Sequence, residues 1–213
     1  MSQPDILKYI RFAEENLEEV VLPNSYGDFH AKGLDYLCLY RSPGYTVKVY
    51  LFPDGMENQE YGEVVNPHDH RYDFHTRCLS GVIENQWYRI PPCWDGESEG
   101  DECGQMYNVF AWDTPLLGGD GFRYMDRVPL QRNEVRQFPK GQTYYMSAEE
   151  YHTIRVVEPE TAILLVQYED VIPVGLPTLT FTQSDKAPSI DGLYSGFTAD
   201  QALDKLQLLK DLL

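Results

Sequence analysis

The sequence is short of positive charge: 17 Lys and Arg stand against 34 Asp and Glu in 213 residues, a formal net charge of −17. Phosphate binding is driven by clustered Lys and Arg, so this balance argues against nucleic acid and anionic membrane as partners. No apolar run approaches the roughly 20 residues needed to cross a bilayer. The opening MSQPDILKYIRFAEENLEEVV has no basic stretch followed by an apolar one, which predicts no secretory signal and a cytoplasmic location. Cysteine is scarce as well. Cys38, Cys78, Cys93 and Cys103 follow no CxxC spacing, and without an export signal they are expected to be reduced thiols. Cys93 and Cys103 bracket the acidic stretch CWDGESEGDEC, and their pairing is left open by the sequence.

What is present points to a β-rich domain. A hydrophobic content of 42% with 13% aromatics excludes disorder. A chain of this size buries roughly 70% of its unfolded surface, so it needs neither disulfide nor metal to make a core. Residues 1–213 are expected to form one domain. Two helices frame it. In residues 1–22, Ile6, Ile10, Ala13, Leu17 and Val20 recur at steps of three and four, with Pro4 suited to a first turn. In residues 198–213, Thr198 is the expected N-cap of a helix whose stripe is Ala202, Leu206, Leu209 and Leu213.

Between them the pattern is of strands. Leu34–Arg41 and Tyr45–Phe52 flank Ser42-Pro43-Gly44, a hairpin signature. Further runs are Thr76–Ile90, Asn108–Trp112, Phe122–Val128, Val135–Phe138, His152–Val157 and Ala162–Tyr168. Short strands punctuated by Gly and Pro, with no helices interleaved, predict an all-β sandwich or barrel over 34–175. The stretch 91–121, rich in Gly and acid, reads as a long loop carrying one short strand.

Of five histidines (His30, His68, His70, His75 and His152), three fall in HDHRYDFH. On a strand, residues two apart share a face about 6.6 Å apart, which lets two imidazoles converge on one metal. The alternative is a pair of surface histidines on a loop. The wider frame, NPHDHRYDFHTRCLSG and then FPKGQTYYMSAEEYHTIRV, resembles the two motifs of the cupin superfamily. The matching residues are His68, His70 and Gly81, then Pro139, Gly141 and His152. The resemblance implies a double-stranded β-helix, or jelly-roll, barrel with one metal held by His68, His70 and His152. Two departures stand out. Phe74 or His75 occupies the place of the usual acidic ligand, and ten residues separate Gly141 from His152. His75 is therefore a candidate fourth ligand or supporting neighbour. Three neutral imidazoles suit Fe(II), Zn, Mn, Ni or Cu, and the resemblance favours Fe(II).

One branch of that superfamily, the thiol dioxygenases similar to cysteine dioxygenase, also uses three histidines without the acid, and its first motif also reads His-Asp-His. That likeness implies a substrate-carboxylate arginine at Arg41, in Tyr40-Arg41-Ser42, and a tyrosine near the metal at Tyr168, sixteen residues beyond His152. The residues that support this tyrosine in the branch are replaced by Leu164 and Val166. Arg41 could equally end its strand in solvent, and Arg77 and Arg89 are alternative anion clamps. Tyr72, Tyr144, Tyr145 and Tyr151 are candidates to line the barrel mouth, with Tyr151 the expected substrate contact. Glu149 and Glu150 read as a solvated turn beside His152. The expectation is a metal-dependent enzyme, foremost an Fe(II) oxygenase acting on a small polar substrate such as a thiol amino acid or thiol carboxylate. A Lewis-acid isomerase or hydrolase and a non-catalytic binding protein are the alternatives, and a homodimer is the family expectation.

Overall fold

The computed structural model describes residues 3–27, 29, 34–52, 66–94, 103–114, 118–173, 175–189 and 194–213. Helix α1 (Gln3–Glu15) runs into a π turn at Leu17–Val21 and a 3-10 turn at Leu22–Asn24. The continuous helix expected over 1–22 therefore changes pitch after Glu15, where Asn16 leaves the helical region and Pro23 follows. Helix α2 (Ala199–Leu212) begins as expected: Thr198 caps the Gln201 amide, and the Gln201 side chain caps Thr198 in return.

Among the described residues twelve strands lie between: β1 (Tyr26–Gly27), β2 (Asp35–Arg41), β3 (Tyr45–Phe52), β4 (Tyr72–Ser80), β5 (Val82–Arg89), β6 (Gln105–Asp113), β7 (Gly121–Pro139), β8 (Thr143–Met146), β9 (Tyr151–Val156), β10 (Thr161–Asp170), β11 (Thr178–Thr182) and β12 (Ser195–Gly196). They form two antiparallel sheets, ordered β12-β1-β2-β3-β10-β4-β8 and β11-β6-β7-β5-β9. From β4 onward the chain passes repeatedly between the sheets: β4 in the first, β5 in the second, β7 in the second, β8 in the first, β9 in the second and β10 in the first. That alternation is the jelly-roll arrangement.

Glycines make two of the crossings. The run expected as one strand, Thr76–Ile90, breaks at Gly81, whose φ of +64° turns the chain into the other sheet. A Cβ there would sit 3.0 Å from Thr161 Cα, so only glycine fits. Gly141, at φ +90°, turns β7 into β8, and its amide bonds back to Cys78 O at 2.8 Å. Conversely, Phe122–Val128 and Val135–Phe138 belong to one strand. β7 pairs with β6 along its first half and with β5 along its second, so its intervening polar residues stay extended.

The two faces of the seven-stranded sheet bury different things. Leu37, Leu39, Val47, Val49 and Leu164 face α1 and α2, meeting Ile6, Ile10 and Leu206. Tyr36, Cys38, Tyr50, Phe74 and Ile163 face inward, against Ile83, Trp87 and Phe138 of the five-stranded sheet. In the stretch expected as a loop, β6 extends over nine residues, and Cys93 and Cys103 form a disulfide with Cα atoms 6.0 Å apart. The expectation of four reduced thiols thus holds for Cys38 and Cys78, both free and buried, and fails for the pair that flanks the acidic turn.

Candidate metal centre

The segment entering β4 carries the first two histidines, and backbone pairing positions it. His68 and His152 exchange both backbone hydrogen bonds, at 2.9 and 3.0 Å. Residues so paired in an antiparallel ladder project side chains to one side, so the two imidazoles lie together. On the other flank, Phe181 N donates to Pro67 O and Asp69 N to Leu179 O. This short segment therefore bridges β9 and β11, the two edges of the five-stranded sheet. His70 follows on the same side, its amide bonded to Ala148 O at 3.1 Å.

The three rings converge. Centroids are 4.7 Å apart for His68 and His70, 5.0 Å for His68 and His152, and 4.9 Å for His70 and His152. One ring nitrogen from each lies within 4.8 Å of the others. Bonds of about 2.0–2.1 Å to one metal need nitrogens roughly 3.3 Å apart, a contraction that small side-chain rotations supply.

Two of the tautomers follow from their partners. His68 Nδ1 lies 2.8 Å from Asn66 O, a carbonyl that only accepts, so Nδ1 carries the proton. His152 Nδ1 donates to Asn85 Oδ1 at 2.5 Å. In both rings the lone pair thus sits on Nε2, and His152 Nε2 is buried with no hydrogen-bond partner among the described residues. Burial pushes the His68 imidazole below the ordinary histidine range, and burial together with neighbouring His68 pushes His152 well below it. Neutral imidazoles with oriented nitrogens are what a divalent transition metal binds. The residues fit a three-His metal site.

The neighbours of the triad serve different ends. Phe74 packs its edge against His70 at 4.8 Å and lies 6.0 Å from His152, filling the place of an acidic ligand with an apolar ring. Asp69, between the two histidines, turns the other way: its Oδ1 accepts from Leu179 N at 2.6 Å, and burial raises its carboxyl to about 6. Asp73 accepts from Ala148 N and Tyr145 Oη, bonds that hold its carboxyl below the usual range and tie the start of β4 to the turn before β9. Arg71 clamps the strand exit after β10 through Asp170 and the carbonyls of Ile172 and Pro173.

Several expected site residues are placed elsewhere, and strand alternation is the reason. On β4, Phe74, Thr76 and Cys78 face inward, so His75 and Arg77 face out. His75 is exposed, its Nδ1 2.9 Å from Tyr168 Oη and its ring beside Tyr145. It takes no part in the triad. On β10, Ile163 and Leu165 face inward, which leaves Tyr168 on the outer phase with Leu164, hydrogen-bonded to His75 and 39% exposed. Arg41 is exposed at the end of β2, where its Nη1 donates to Asn24 Oδ1 at 2.6 Å. Arg89 is exposed and bonds Gln131. Tyr151 precedes His152 and so takes the opposite face of β9, packed on Phe181 with ring centroids 4.6 Å apart. Tyr144 is the inward-facing member of its pair, and Tyr145 bonds Asp73 outside. Glu149 and Glu150 are exposed, with Glu150 capping the Ser147 amide. His30 lies outside the described residues.

Two residues near the centre went unnamed in the sequence reading. Asn85, fully buried on β5, holds His152. An Asn in the alternating strand VIENQWYR, on the phase of Ile83 and Trp87, is the signal that could have found it. Lys48, in YTVKVYLF, is the other; its inward phase is set by Tyr50 and Phe52.

No family model matches the chain, and no curated protein matches it. Solved structures do. KdgF from a Halomonas species aligns at 13% identity over 64% of this chain and 80% of that one, with a TM-score of 0.36. The DMSP lyase DddQ of Ruegeria pomeroyi aligns at 12% identity over 73% and 55%, TM-score 0.41. A cupin superfamily protein of Desulfitobacterium hafniense aligns at 12% identity over 64% and 78%, TM-score 0.35. These likenesses concern fold alone, and the jelly roll itself rests on the strand order and the Gly81 and Gly141 crossings described above.

Proposed function

We propose that this chain is a metal-dependent oxygenase, holding Fe(II) through His68, His70 and His152 and acting on a small polar substrate of the thiol amino acid or thiol carboxylate class. The observation that carries the reading is a converging trio of imidazoles without a carboxylate, His152 buried and the other two half-buried, with the lone pairs of His68 and His152 placed on Nε2 by bonds to Asn66 and Asn85. Fe(II) held by His68, His70 and His152 would supply one-electron chemistry.

The protein's part is orientation and exclusion of water. Asn85 and the Asn66 carbonyl fix two ligand rings before any metal arrives, so little is lost in ordering them. Phe74 and the inward aromatic wall keep water from the reacting atoms. Arg41 and Tyr168 are assigned no role, since their partners are Asn24 and His75. The test is oxygen consumption by Fe(II)-loaded protein supplied with cysteine or 3-mercaptopropionate. Uptake that stops in His152→Ala supports the reading. Turnover of a substrate without oxygen, or with Zn in place of iron, would assign Lewis-acid chemistry instead.

A further inference from the structure

A second charged group lies inside the barrel. Lys48 is only 6% exposed, on the inward phase of β3 directly opposite Cys38 and Leu165. Its Nζ lies 4.9 Å from the Tyr72 ring centroid and 5.3 Å from that of Tyr36, and donates to Tyr72 Oη at 3.3 Å. An ammonium can donate three hydrogen bonds. Among the described residues no carboxylate lies within ion-pair distance of it. Burying such a charge is costly unless an anion meets it, and the ring faces offset only part of that cost.

Burial works against the ammonium, while the Tyr72 hydroxyl and the ring faces of Tyr72 and Tyr36 favour it. Burial also raises the Tyr36 phenol to about 12 and Tyr50 further, so neither supplies an anion at neutral pH. The cluster therefore presents a lysine with no anionic partner of its own among the described residues. It is also joined to the triad: Tyr72, which Lys48 touches, has its ring 5.8 Å from that of His70.

We infer that Lys48, supported by Tyr72, is the anion-recognition group of the barrel interior and takes the carboxylate of a small substrate whose other end lies at the triad. The inference rests on the metal-site reading for that second end, but the recognition of carboxylate is Lys48's own. It moves the anion clamp from the exposed Arg41 to a buried group, and it selects thiol carboxylates over neutral thiols.

The experiment compares acids with their amides. Binding of 3-mercaptopropionate and 3-mercaptopropionamide to Co(II)-loaded protein, and of propionate and propionamide to metal-free protein, is measured by calorimetry. The same probes are applied to Lys48→Met and Arg41→Ala. Wild type is expected to favour each acid by about tenfold, as a charge-assisted bond in a buried site provides. Lys48→Met should erase the preference and Arg41→Ala should keep it. Equal binding of acid and amide by wild type, which needs no variant to fold, overturns the inference. So does a preference that survives in Lys48→Met. Cobalt content of the same samples separates the readings: a triad that holds no metal sinks the metalloenzyme proposal, while propionate against propionamide still decides Lys48.

Discussion

The two faces of β4 carry the same chemical vocabulary and put it to opposite uses. Inward, the residues around the strand's start are the half-buried His70 and Tyr72 and the buried Phe74, packed with His152. Outward, His75 meets Tyr168 and Tyr145, and Tyr145 meets Asp73, all in solvent. A histidine and a tyrosine stand together on each side. His152 on the inner side is buried, with an oriented Nε2 that has no hydrogen-bond partner among the described residues, whereas His75 is exposed. Burial and orientation, more than residue type, separate a metal ligand from a surface pair.

The largest expected effect on that comparison is the loss of an inner histidine. His152→Ala or His68→Ala should abolish metal binding, read as metal per chain after reconstitution, whereas His75→Ala should leave it unchanged. Next comes orientation without ligation. Asn85→Ala removes the acceptor of the His152 Nδ1 proton, and metal affinity should fall by about 10- to 100-fold, as for other such supporting partners. A competitive chelator titration checks this. Metal affinity unchanged in Asn85→Ala would mean that packing alone sets the ring.

A pH effect of intermediate size follows from the same burial. His68 and His152 have folded values below the ordinary 6.5, so the unfolded chain binds protons that the native state refuses. Their contribution is fully present above pH 6.5 and is lost as pH falls toward their folded values. Asp69 opposes this. Its value, raised from 3.8 to about 6, makes the native state bind the extra proton between those limits and gain stability as pH falls through them. The metal-free protein should therefore lose thermal stability as pH drops from 7, and His152→Ala should lose less over the same interval. A Tm series on both proteins reads the difference. The smallest effect belongs to the outer pair: Tyr168→Phe should cost under about 0.5 kcal/mol in chemical denaturation, as exposed substitutions do, and leave metal content intact.

Much of the fold was legible because strands and capped helices are local. Ser42-Pro43-Gly44, the Thr198 cap and the motif glycines each dictate a turn within a few residues. Gly81 and Gly141 are motif letters in the sequence, and the structure gives their physical reason in two positive-φ turns between sheets. The triad was legible for a related reason, since His68 and His70 share a short segment and His152 follows the second glycine. What escaped was phase. Tyr168 was located by distance from His152, but which face it takes depends on Leu164 packing against the helices, a contact between residues remote in sequence. The β2 bulge between Cys38 and Tyr40 similarly shifts the alternation just before Arg41. Lys48 escaped because a lysine amid apolar residues invites a solvent reading, and only the pairing of β3 with β2 and β10 turns it inward. The disulfide needed the ends of β5 and β6 to be placed before Cys93 and Cys103 could be seen to meet.

The most direct test is metal content by mass spectrometry on untagged protein, with His152→Ala and His75→Ala measured alongside. The inner-face account predicts close to one transition metal per chain in wild type, none in His152→Ala and full retention in His75→Ala. A wild-type protein that takes up no metal on reconstitution, or a metal that survives His152→Ala and departs with His75→Ala, would contradict it.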